Sequence, residues 1–165
     1  MKVWIGIDNG ISGSIGYITE KGDWNFAKVP IKLTYSYTKD RQKLNRIDHE
    51  SLKTMLISII NKSKDNNIIC YIEKPYTDPN RYKASISGMR AYESVIVLLE
   101  QVGIAYETIS SKLWQKEILP GVKGSNDLKK ASLETGKRLF PGIEKIKHSD
   151  YDGILIAEWM RRDKL

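Results

Sequence analysis

Residues 3–10 read VWIGIDNG, an apolar run that ends in an acidic turn. This pattern predicts a β-strand followed by a tight turn. Two more strands are predicted at Ser14 to Glu20 and at Asp23 to Ile31, and the Lys21-Gly22 break between them indicates a hairpin. The chain is therefore expected to open with a three-stranded meander.

Helices and strands alternate in the remainder of the chain. After a polar, tyrosine-bearing segment from Thr34 to Asp48, apolar residues at helical spacing from Leu52 to Ile60 predict an amphipathic helix that ends at Asn66-Asn67. Residues 68–72, IICYI, are apolar throughout, as expected of a parallel strand covered on both faces. The later predictions are a helix at 84–102 capped by Gly103, a strand at 104–109, and helices from about Ser111, from about Asn126 and over about 150–163.

This order of elements predicts an α/β fold, and 165 residues fit one domain spanning residues 1–165. Because a helix follows each later strand, those strands should be parallel and joined by right-handed crossovers. A three-stranded meander followed by α-β-α-β is the topology of RNase H-like proteins. We therefore expect a five-stranded mixed sheet, with a three-strand meander and parallel strands, flanked by helices.

Composition narrows the classes of partner and compartment. The net charge is +7, and basic residues cluster in four segments that suit a polyanion, namely Lys39 to Arg46, Lys74 to Lys83, Lys123 to Arg138 and Arg161 to Lys164. A basic surface that only maintains solubility would explain this charge equally well. No segment approaches the roughly 18 uninterrupted apolar residues of a membrane span. Because the first residues also have no long apolar segment, we expect a soluble cytoplasmic protein. The single cysteine, Cys70, lies in an apolar run, where a buried, unreactive thiol is expected.

Two acidic residues stand at the ends of predicted strands. Asp8 ends the first strand, and Glu73 follows the strand at 68–72. If these strands are adjacent and parallel, their carboxyl ends lie about 5 Å apart on one edge of the sheet, where ligand sites of α/β proteins form. Taken singly, Asp8 could equally be a turn residue, and Glu73 a strand-end charge held by Lys74.

A third acidic group comes near the C-terminus, where Asp150 and Asp152 stand at the start of an apolar helix. Capping and the helix dipole also favour carboxylates there, and for Asp150 this structural role is as well supported as a functional one. For Asp152 the functional role is favoured, because the neighbouring Gly153 would let the helix approach the sheet.

Carboxylates that converge on one point repel each other and raise each other's pKa, so such a cluster needs a compensating cation. Oxygen ligands alone select a hard metal, Mg²⁺ or Mn²⁺. Two such ions roughly 3.5 to 4 Å apart would activate a water and stabilise the leaving oxygen of a phosphodiester displacement. The pattern therefore favours a metal-dependent nuclease whose basic surface holds the nucleic-acid backbone.

Three short motifs resemble those of the RuvC-type Holliday-junction resolvases, and in particular of their phage-borne branch. IGIDNG at 5–10 resembles the family's first-strand aspartate motif, YIEKP at 71–75 its strand-end glutamate, and DGILIA at 152–157 its closing Asp-Ala helix. WQK at 114–116 and the segment 129–141 resemble the phage branch. The resemblance covers nearly the whole chain and implies a metal-dependent endonuclease that cuts Holliday junctions and other branched DNA.

The chain departs from the family at the fourth ligand, which in the family lies three or four residues before the closing aspartate. Those positions hold Ser149 and His148, whereas Asp150 lies two residues before Asp152. Asp150 is favoured because a hard metal prefers oxygen, and His148 stays the alternative. The predicted catalytic and metal-binding set is therefore Asp8, Glu73, Asp150 and Asp152, with Mg²⁺ or Mn²⁺ as the cofactor.

The resemblance also implies contacts to DNA from the segment after Glu73 and from residues 123–138. The candidate basic residues are Lys74, Arg81, Lys83, Arg90, Lys129 and Lys130. Any one of them could instead belong to a solvated basic face. Tyr76, Tyr82 and Trp114 could stack on unpaired bases at a branch point, although such aromatic residues are more often partly buried.

A homodimer is expected, because two cuts in a nearly two-fold symmetric four-way junction need two identical active sites. The helix at 84–102 offers a surface for it, since Ile86, Ala91, Val97 and Leu98 lie beyond the stripe expected to face the sheet. The alternative is that this helix is well buried within the monomer.

Two other classes of protein are compatible with parts of the pattern. Actin-like ATPases and sugar kinases share this fold and also open with a strand, an aspartate and a glycine-rich turn, but they clamp a nucleotide between two lobes. The chain has room for one lobe and has no second phosphate loop. A non-catalytic nucleic-acid-binding domain would not need Asp8, Glu73 and Asp152 together.

Overall fold

The computed structural model describes residues 1–63, 67–146, 148 and 150–163. The predicted helix end at Asn66, the alternative fourth position Ser149 and the basic Lys164 lie outside these residues. The strands are β1 Val3–Ile7, β2 Ser14–Thr19, β3 Trp24–Lys28, β4 Ile31–Tyr35, β5 Lys43–Ile47, β6 Ile68–Glu73 and β7 Tyr106–Ile109. The helices are α1 His49–Ile60, α2 Tyr82–Gln101, α3 Ser111–Ile118, α4 Ser125–Leu139 and α5 Asp152–Asp163, with short 3₁₀ turns at Pro79–Arg81 and Ile143–Lys145.

The main sheet has five strands in the order β3-β2-β1-β6-β7. Strand β1 pairs antiparallel with β2, where Ile7 faces Ile15, and parallel with β6, where Ile7 faces Ile72. Strand β7 continues the parallel half of the sheet beside β6. The predicted mixed sheet, a three-stranded meander joined to parallel strands, is therefore confirmed.

A second, two-stranded sheet was not predicted. Strands β4 and β5 form an antiparallel hairpin within residues 31–47, where Ile31 pairs with Ile47 and Tyr35 with Lys43. The third strand is shorter than the predicted Asp23 to Ile31, because β3 ends at Lys28 and Pro30 separates it from β4. Proline lacks the N–H that a strand ladder needs, which explains the break.

Helices cover both faces of the main sheet. On one face, Val3, Ile5 and Ile7 of β1 pack into a buried cluster with α1 and α2. On the other face, Trp4 belongs to a cluster built mainly by α3, α5 and the end of α4. The buried strand sequence of β1 thus serves two cores, which is why it is apolar at nearly every position.

The ends of α1 and α2 follow local capping signals. The Asp48 side chain accepts a hydrogen bond from the Ser51 N–H at the start of α1, and the helix ends at Ile60, earlier than predicted. Gly103 adopts φ +75° just after α2, as its predicted capping role requires. Among the described residues, no helix is long and apolar enough to cross a membrane.

The buried face of α2 is wider than the predicted stripe, most of which is confirmed: Val95 and Leu99 are buried, and Tyr92, Ile96 and Val102 pack against the same core. Ala91 and Leu98, assigned from the sequence to a dimer surface, are buried in the chain's own core together with Val95 and Leu99. Met89, expected to face the sheet, is 46% exposed. The helix packs against α1 and β5, and the unpredicted hairpin therefore widens the covered face of α2.

Candidate metal centre

The ends of two neighbouring strands define one edge of the sheet. Strands β1 and β6 run parallel and in register, so Asp8, which follows β1, and Glu73, the last residue of β6, lie at the same edge. The turn after Asp8 is closed by a hydrogen bond from Gly13 N–H to the Gly10 carbonyl, and Asp8 N–H donates to the Ser14 carbonyl. The geometry predicted for these two carboxylates is present.

Helix α5 lies directly on β1 and β2 because small residues face each other there. A Cβ built on Gly153 would lie 2.5 Å from the Ser14 carbonyl oxygen, and one built on Gly6 would lie 2.5 Å from Ala157 N. Real Cβ atoms do not approach backbone this closely, so only glycine permits the contact. The close approach brings the first residue of α5, Asp152, to the edge that carries Asp8.

Three carboxylates meet at this edge. One oxygen each from Asp8, Asp150 and Asp152 lies within 4.8 Å of the other two. Asp150 also caps α5, since its Oδ1 accepts a hydrogen bond of 2.9 Å from Asp152 N–H. The capping role and the proposed ligand role, which the sequence presents as alternatives, are thus compatible in one side chain.

Ser14 holds the third carboxylate in position. Its Oγ donates to Asp150 Oδ1 over 3.0 Å and accepts from Gly153 N–H over 3.0 Å. One hydroxyl therefore ties β2 to the start of α5 and to Asp150. Ser14 was missed from the sequence because it contacts residues 136 and 139 positions away.

Glu73 lies beside the three aspartates and is held by Trp114. The Trp114 indole Nε1–H donates to Glu73 Oε2 over 2.7 Å, and the Asn9 side chain donates to the Glu73 backbone carbonyl. Burial raises the pKa of Glu73 to about 7, with Asp152 and Asp150 adding to the rise and the Trp114 hydrogen bond opposing it. Trp114 is fully buried, so its proposed stacking on DNA bases is wrong.

Two of the aspartates, Asp8 and Asp152, are also driven toward protonation. The pKa of Asp8 is raised well above its usual value, first by burial and then by the charge of Asp150 and a hydrogen bond with it. Burial and Asp150 raise the pKa of Asp152 to about 6, against opposing effects of a Ser132 hydrogen bond and the Lys129 charge. The carboxylates of Asp8, Asp150 and Asp152 lie close enough together that they could hold a metal ion.

The donor set fits a hard metal ion. Asp8, Asp150 and Asp152 offer only carboxylate oxygen, with Glu73 beside them, which suits Mg²⁺ or Mn²⁺. His148 is engaged elsewhere, since its Nε2 lies 3.2 Å from the Gly13 carbonyl oxygen and its ring stacks on Phe26 with centroids 5.7 Å apart. The geometry therefore favours Asp150 over His148 as the fourth member of the cluster, while the roles of all four carboxylates stay predictions.

The candidate DNA-binding residues are all exposed, as such contacts require; they are Lys74, Arg81, Lys83, Arg90, Lys129 and Lys130. Lys129 lies near enough to Asp152 to lower its pKa. Tyr76 and Tyr82 are exposed, so unlike the buried Trp114 they are accessible for stacking on bases. Two further side chains contact the cluster, Ser132 of α4 at Asp152 and Trp114 of α3 at Glu73. The sequence carried no recognisable signal of these contacts.

The chain is similar in fold to RuvC of Thermus thermophilus. RuvC in complex with a Holliday junction substrate superposes with a TM-score of 0.52 and 12% identity, covering 99% of this chain and 96% of that one. A second RuvC structure from the same organism superposes with a TM-score of 0.54 and 13% identity, covering 98% of this chain and 96% of that one. A fowlpox virus resolvase in complex with substrate Holliday junction DNA has a TM-score of 0.38 and 12% identity, covering 94% of this chain and 91% of that one.

The two RuvC structures support the class of fold. The five-stranded mixed sheet with flanking helices is RNase H-like. Within that class the chain has the RuvC-type arrangement over nearly its full length, and the resemblance noted in the sequence is confirmed at the level of the fold. No protein-family model and no curated protein sequence matches the chain.

Proposed function

We propose that the protein is a metal-dependent endonuclease that cuts Holliday junctions and other branched DNA. The observation that carries the proposal is the convergence of Asp8, Asp150 and Asp152, with Glu73 beside them, at the carboxyl edge of a RuvC-type sheet. A structural role alone would not explain why Asp8, Glu73 and Asp152 are gathered where burial makes their charges unfavourable.

The chain's own residues divide the work of such a reaction. The three aspartates would hold Mg²⁺ or Mn²⁺, Trp114 orients Glu73 toward them, and Ser14 fixes Asp150. When bound, a pair of divalent ions supplies an activated water and charge stabilisation for the leaving oxygen of the phosphodiester. The Lys129 ammonium, close to Asp152, is suited to hold the phosphate that approaches the cluster.

The exposed basic residues are proposed to bind the DNA backbone. Each lysine or arginine that neutralises a phosphate releases counterions, so affinity should fall steeply with salt. We expect the logarithm of the affinity for a four-way junction to fall linearly with the logarithm of salt concentration, by about 0.9 per phosphate contact. A flat dependence would remove these residues from the interface.

The direct test is cleavage of a synthetic four-way junction, a fork and a linear duplex, each with Mg²⁺, Mn²⁺, Zn²⁺ or EDTA. Cutting of the branched substrates with Mg²⁺ or Mn²⁺ is expected, and Asp8→Asn, Glu73→Gln and Asp152→Asn should abolish it while leaving junction binding intact. Glu134→Gln, on the exposed face of α4, is the matched charge control. Cleavage in EDTA or with zinc alone contradicts the mechanism, and binding without cleavage under every condition identifies a non-catalytic domain.

The fourth ligand can be tested without disturbing the start of α5. Asp150→Asn keeps a side-chain oxygen that can accept from Asp152 N–H, and it removes the charge offered to a metal. We therefore expect this variant to fold and to lose cleavage, whereas His148→Ala should still cut. The reverse result would make His148 the ligand.

We also propose a homodimer, because one active site cannot make two symmetric cuts in a single bound state. The surface first assigned to it is reduced, since Ala91 and Leu98 are buried in the monomer and only Ile86 and Val97 of that set reach the surface of α2. The proposal therefore rests on the symmetry of the substrate. A cytoplasmic location likewise stays a prediction.

A further inference from the structure

A long groove lies between the hairpin β4–β5 and helix α2. Its volume is about 1080 Å³, and its lining includes Ile11, in the turn that follows Asp8. Tyr82 and Lys83 line it at the first turn of α2, and Gln101 lines it at the end of the same helix. The groove therefore extends along α2, and through Ile11 it includes the turn that follows Asp8.

The lining of the groove is strongly basic. Among the described residues, its charged side chains comprise one carboxylate, Glu93, against five cations, Lys32, Lys43, Arg46, Lys83 and Arg90. The three cations on the hairpin belong to an element that the sequence did not predict. A concave surface with this excess of one sign attracts and concentrates a polyanion.

Exposed tyrosines lie among these cations. Tyr35 is 50% exposed, Tyr37 is fully exposed and Tyr82 is 69% exposed, and all three line the groove. The Arg41 guanidinium lies 5.8 Å from the Tyr35 ring centroid, so a cation adjoins the ring without enclosing it. Within the hairpin, Tyr35 pairs with Lys43, so a ring and a cation lie side by side there. Rings beside cations form a surface on which successive unpaired bases can stack while their phosphates are neutralised.

We propose that this groove binds single-stranded DNA, with bases stacked on Tyr35 and Tyr37 and phosphates neutralised by the hairpin cations. The inference rests on the proposed function only in saying where the single-stranded DNA comes from. A branch point held at the acidic cluster would bring unpaired nucleotides close to Ile11, which lines the groove. Duplex DNA offers no exposed base faces to the tyrosines, so its binding there would depend on charge alone.

A second copy of the chain is a poorer occupant of the groove. In a closed two-fold dimer the same surface meets itself, so five cations would face five cations with two carboxylates between them. Repulsion between like charges brought together at an interface opposes such a contact. DNA supplies the complementary charge.

The test measures binding of a fluorescein-labelled oligothymidylate about 15 nucleotides long by anisotropy in EDTA, so that cleavage plays no part. Tyr35→Ala with Tyr37→Ala should weaken binding about tenfold or more, because each removes a stacking surface. Tyr35→Phe with Tyr37→Phe keeps both rings and should bind within about twofold of the parent. Unlabelled duplex of the same length should compete much less well than unlabelled single strand.

Charge removal supplies a second, matched comparison. Lys43→Ala with Arg46→Ala should reduce the salt slope by about 1.4, roughly 0.7 for each contact to a single strand. Lys21→Ala with Lys53→Ala removes two exposed charges outside the groove and should leave the slope unchanged.

Four outcomes would each overturn the proposal. They are parental affinity in the double alanine variant, equal loss in the phenylalanine variant, equal competition by duplex, and conversion of a dimer to a monomer by the alanine changes. A protein that binds the oligothymidylate as expected but cuts no junction refutes the proposed function and leaves this inference standing. A protein that cuts junctions but fails the oligothymidylate test refutes this inference and leaves the proposed function standing.

Discussion

At the scale of single residues, Glu73 depends on one neighbour for both its position and its charge. Burial alone pushes this carboxylate toward its neutral form, which is a poor metal ligand. The Trp114 N–H opposes that tendency, because a donor that bonds to the charged form stabilises it. Trp114 is therefore a positioning residue whose loss should be visible in the pH dependence of cleavage.

We predict that Trp114→Phe lowers the cleavage rate at neutral pH and limiting Mg²⁺ by about tenfold, with recovery at higher pH. Without the indole N–H, the pKa of Glu73 rises further, so protons compete with the metal over a wider range and the acid limb of the pH–rate profile moves upward. Trp159→Phe removes a comparable N–H, bonded to Glu117 Oε2 over 2.8 Å, and should leave the profile unchanged. Superimposable profiles for Trp114→Phe and the parent would contradict this role.

The same raised pKa values make the metal-free protein sensitive to pH. In the folded protein the pKa of Glu73 is about 7, against an ordinary value of 4.5, and that of Asp152 is about 6, against 3.8. At pH values between the ordinary and the raised pKa, the folded protein therefore binds more protons than the unfolded chain. In EDTA, the free energy of unfolding should therefore rise by on the order of 3 kcal/mol as pH falls from about 8 to about 5. Urea denaturation at several pH values measures this.

Two additions make that stability test specific to the cluster. Glu73→Gln removes one of the two titrating groups and should reduce the dependence on pH, leaving the part due to Asp152. Saturating Mg²⁺ should raise stability most at high pH, where the carboxylates are charged. A metal-free protein whose stability rises with pH through this window would show that the acidic groups are not held at raised pKa values.

Residues of the candidate site were predictable when they stood at the end of a regular element. Asp8, Glu73 and Asp152 follow from strand and helix patterns that fix where a chain segment stops. Ser14, Ser132 and Trp114 were not predictable as partners of these carboxylates. Each of them reaches the cluster through tertiary packing between distant segments, for which local periodicity contains no information.

At the scale of elements, the candidate metal centre depends on how closely α5 lies on the sheet. We predict that Gly153→Ala lowers the free energy of unfolding by about 1–3 kcal/mol, because the added Cβ would meet the Ser14 carbonyl oxygen at 2.5 Å. Gly88→Ala is the matched control in α2, where the new Cβ would meet only Pro75 Cβ, at 3.6 Å. It should raise stability by about 0.5–1 kcal/mol, the usual gain for alanine in a helix.

Equal effects of the two glycine changes on thermal or urea unfolding would show that α5 has room to move away from β2. In that case the alignment of Asp152 with Asp8 would need another cause. Cleavage by any folded Gly153→Ala protein is a second measure, since a displaced α5 separates the two carboxylates.

The elements that were predicted well have strong periodicity, and the missed ones do not. Strand β1 and helix α1 have apolar patterns that the core confirms. The hairpin β4–β5 is mostly exposed, with Ile47 buried at its end, so its pairing leaves little hydrophobic trace. On α2 the predicted stripe is largely confirmed, whereas Ala91 and Leu98 are buried rather than free for a dimer and Met89 is exposed.

At the scale of the whole molecule, positive charge lies on two sides of the acidic cluster. Lys129 of α4 is close to Asp152, while Lys83 and Arg90 of α2 line the groove that Ile11 also lines. A branched nucleic acid presents several arms to one protein, and separate basic surfaces around the proposed cleavage site would suit such a ligand better than a single patch.

The last prediction concerns the number of chains on one junction. A four-way junction has near two-fold symmetry, and its resolution needs cuts in two strands, so each bound complex should contain two copies of the chain with one acidic cluster each. Sedimentation velocity at micromolar concentration should show a two-chain species, and titration of a labelled junction should saturate at two chains per junction. Mixing parental protein with excess Asp8→Asn protein should then yield junctions nicked on one strand, because hybrid dimers hold one competent site. Paired cuts by a strictly monomeric protein, at one chain per junction, would refute the dimer.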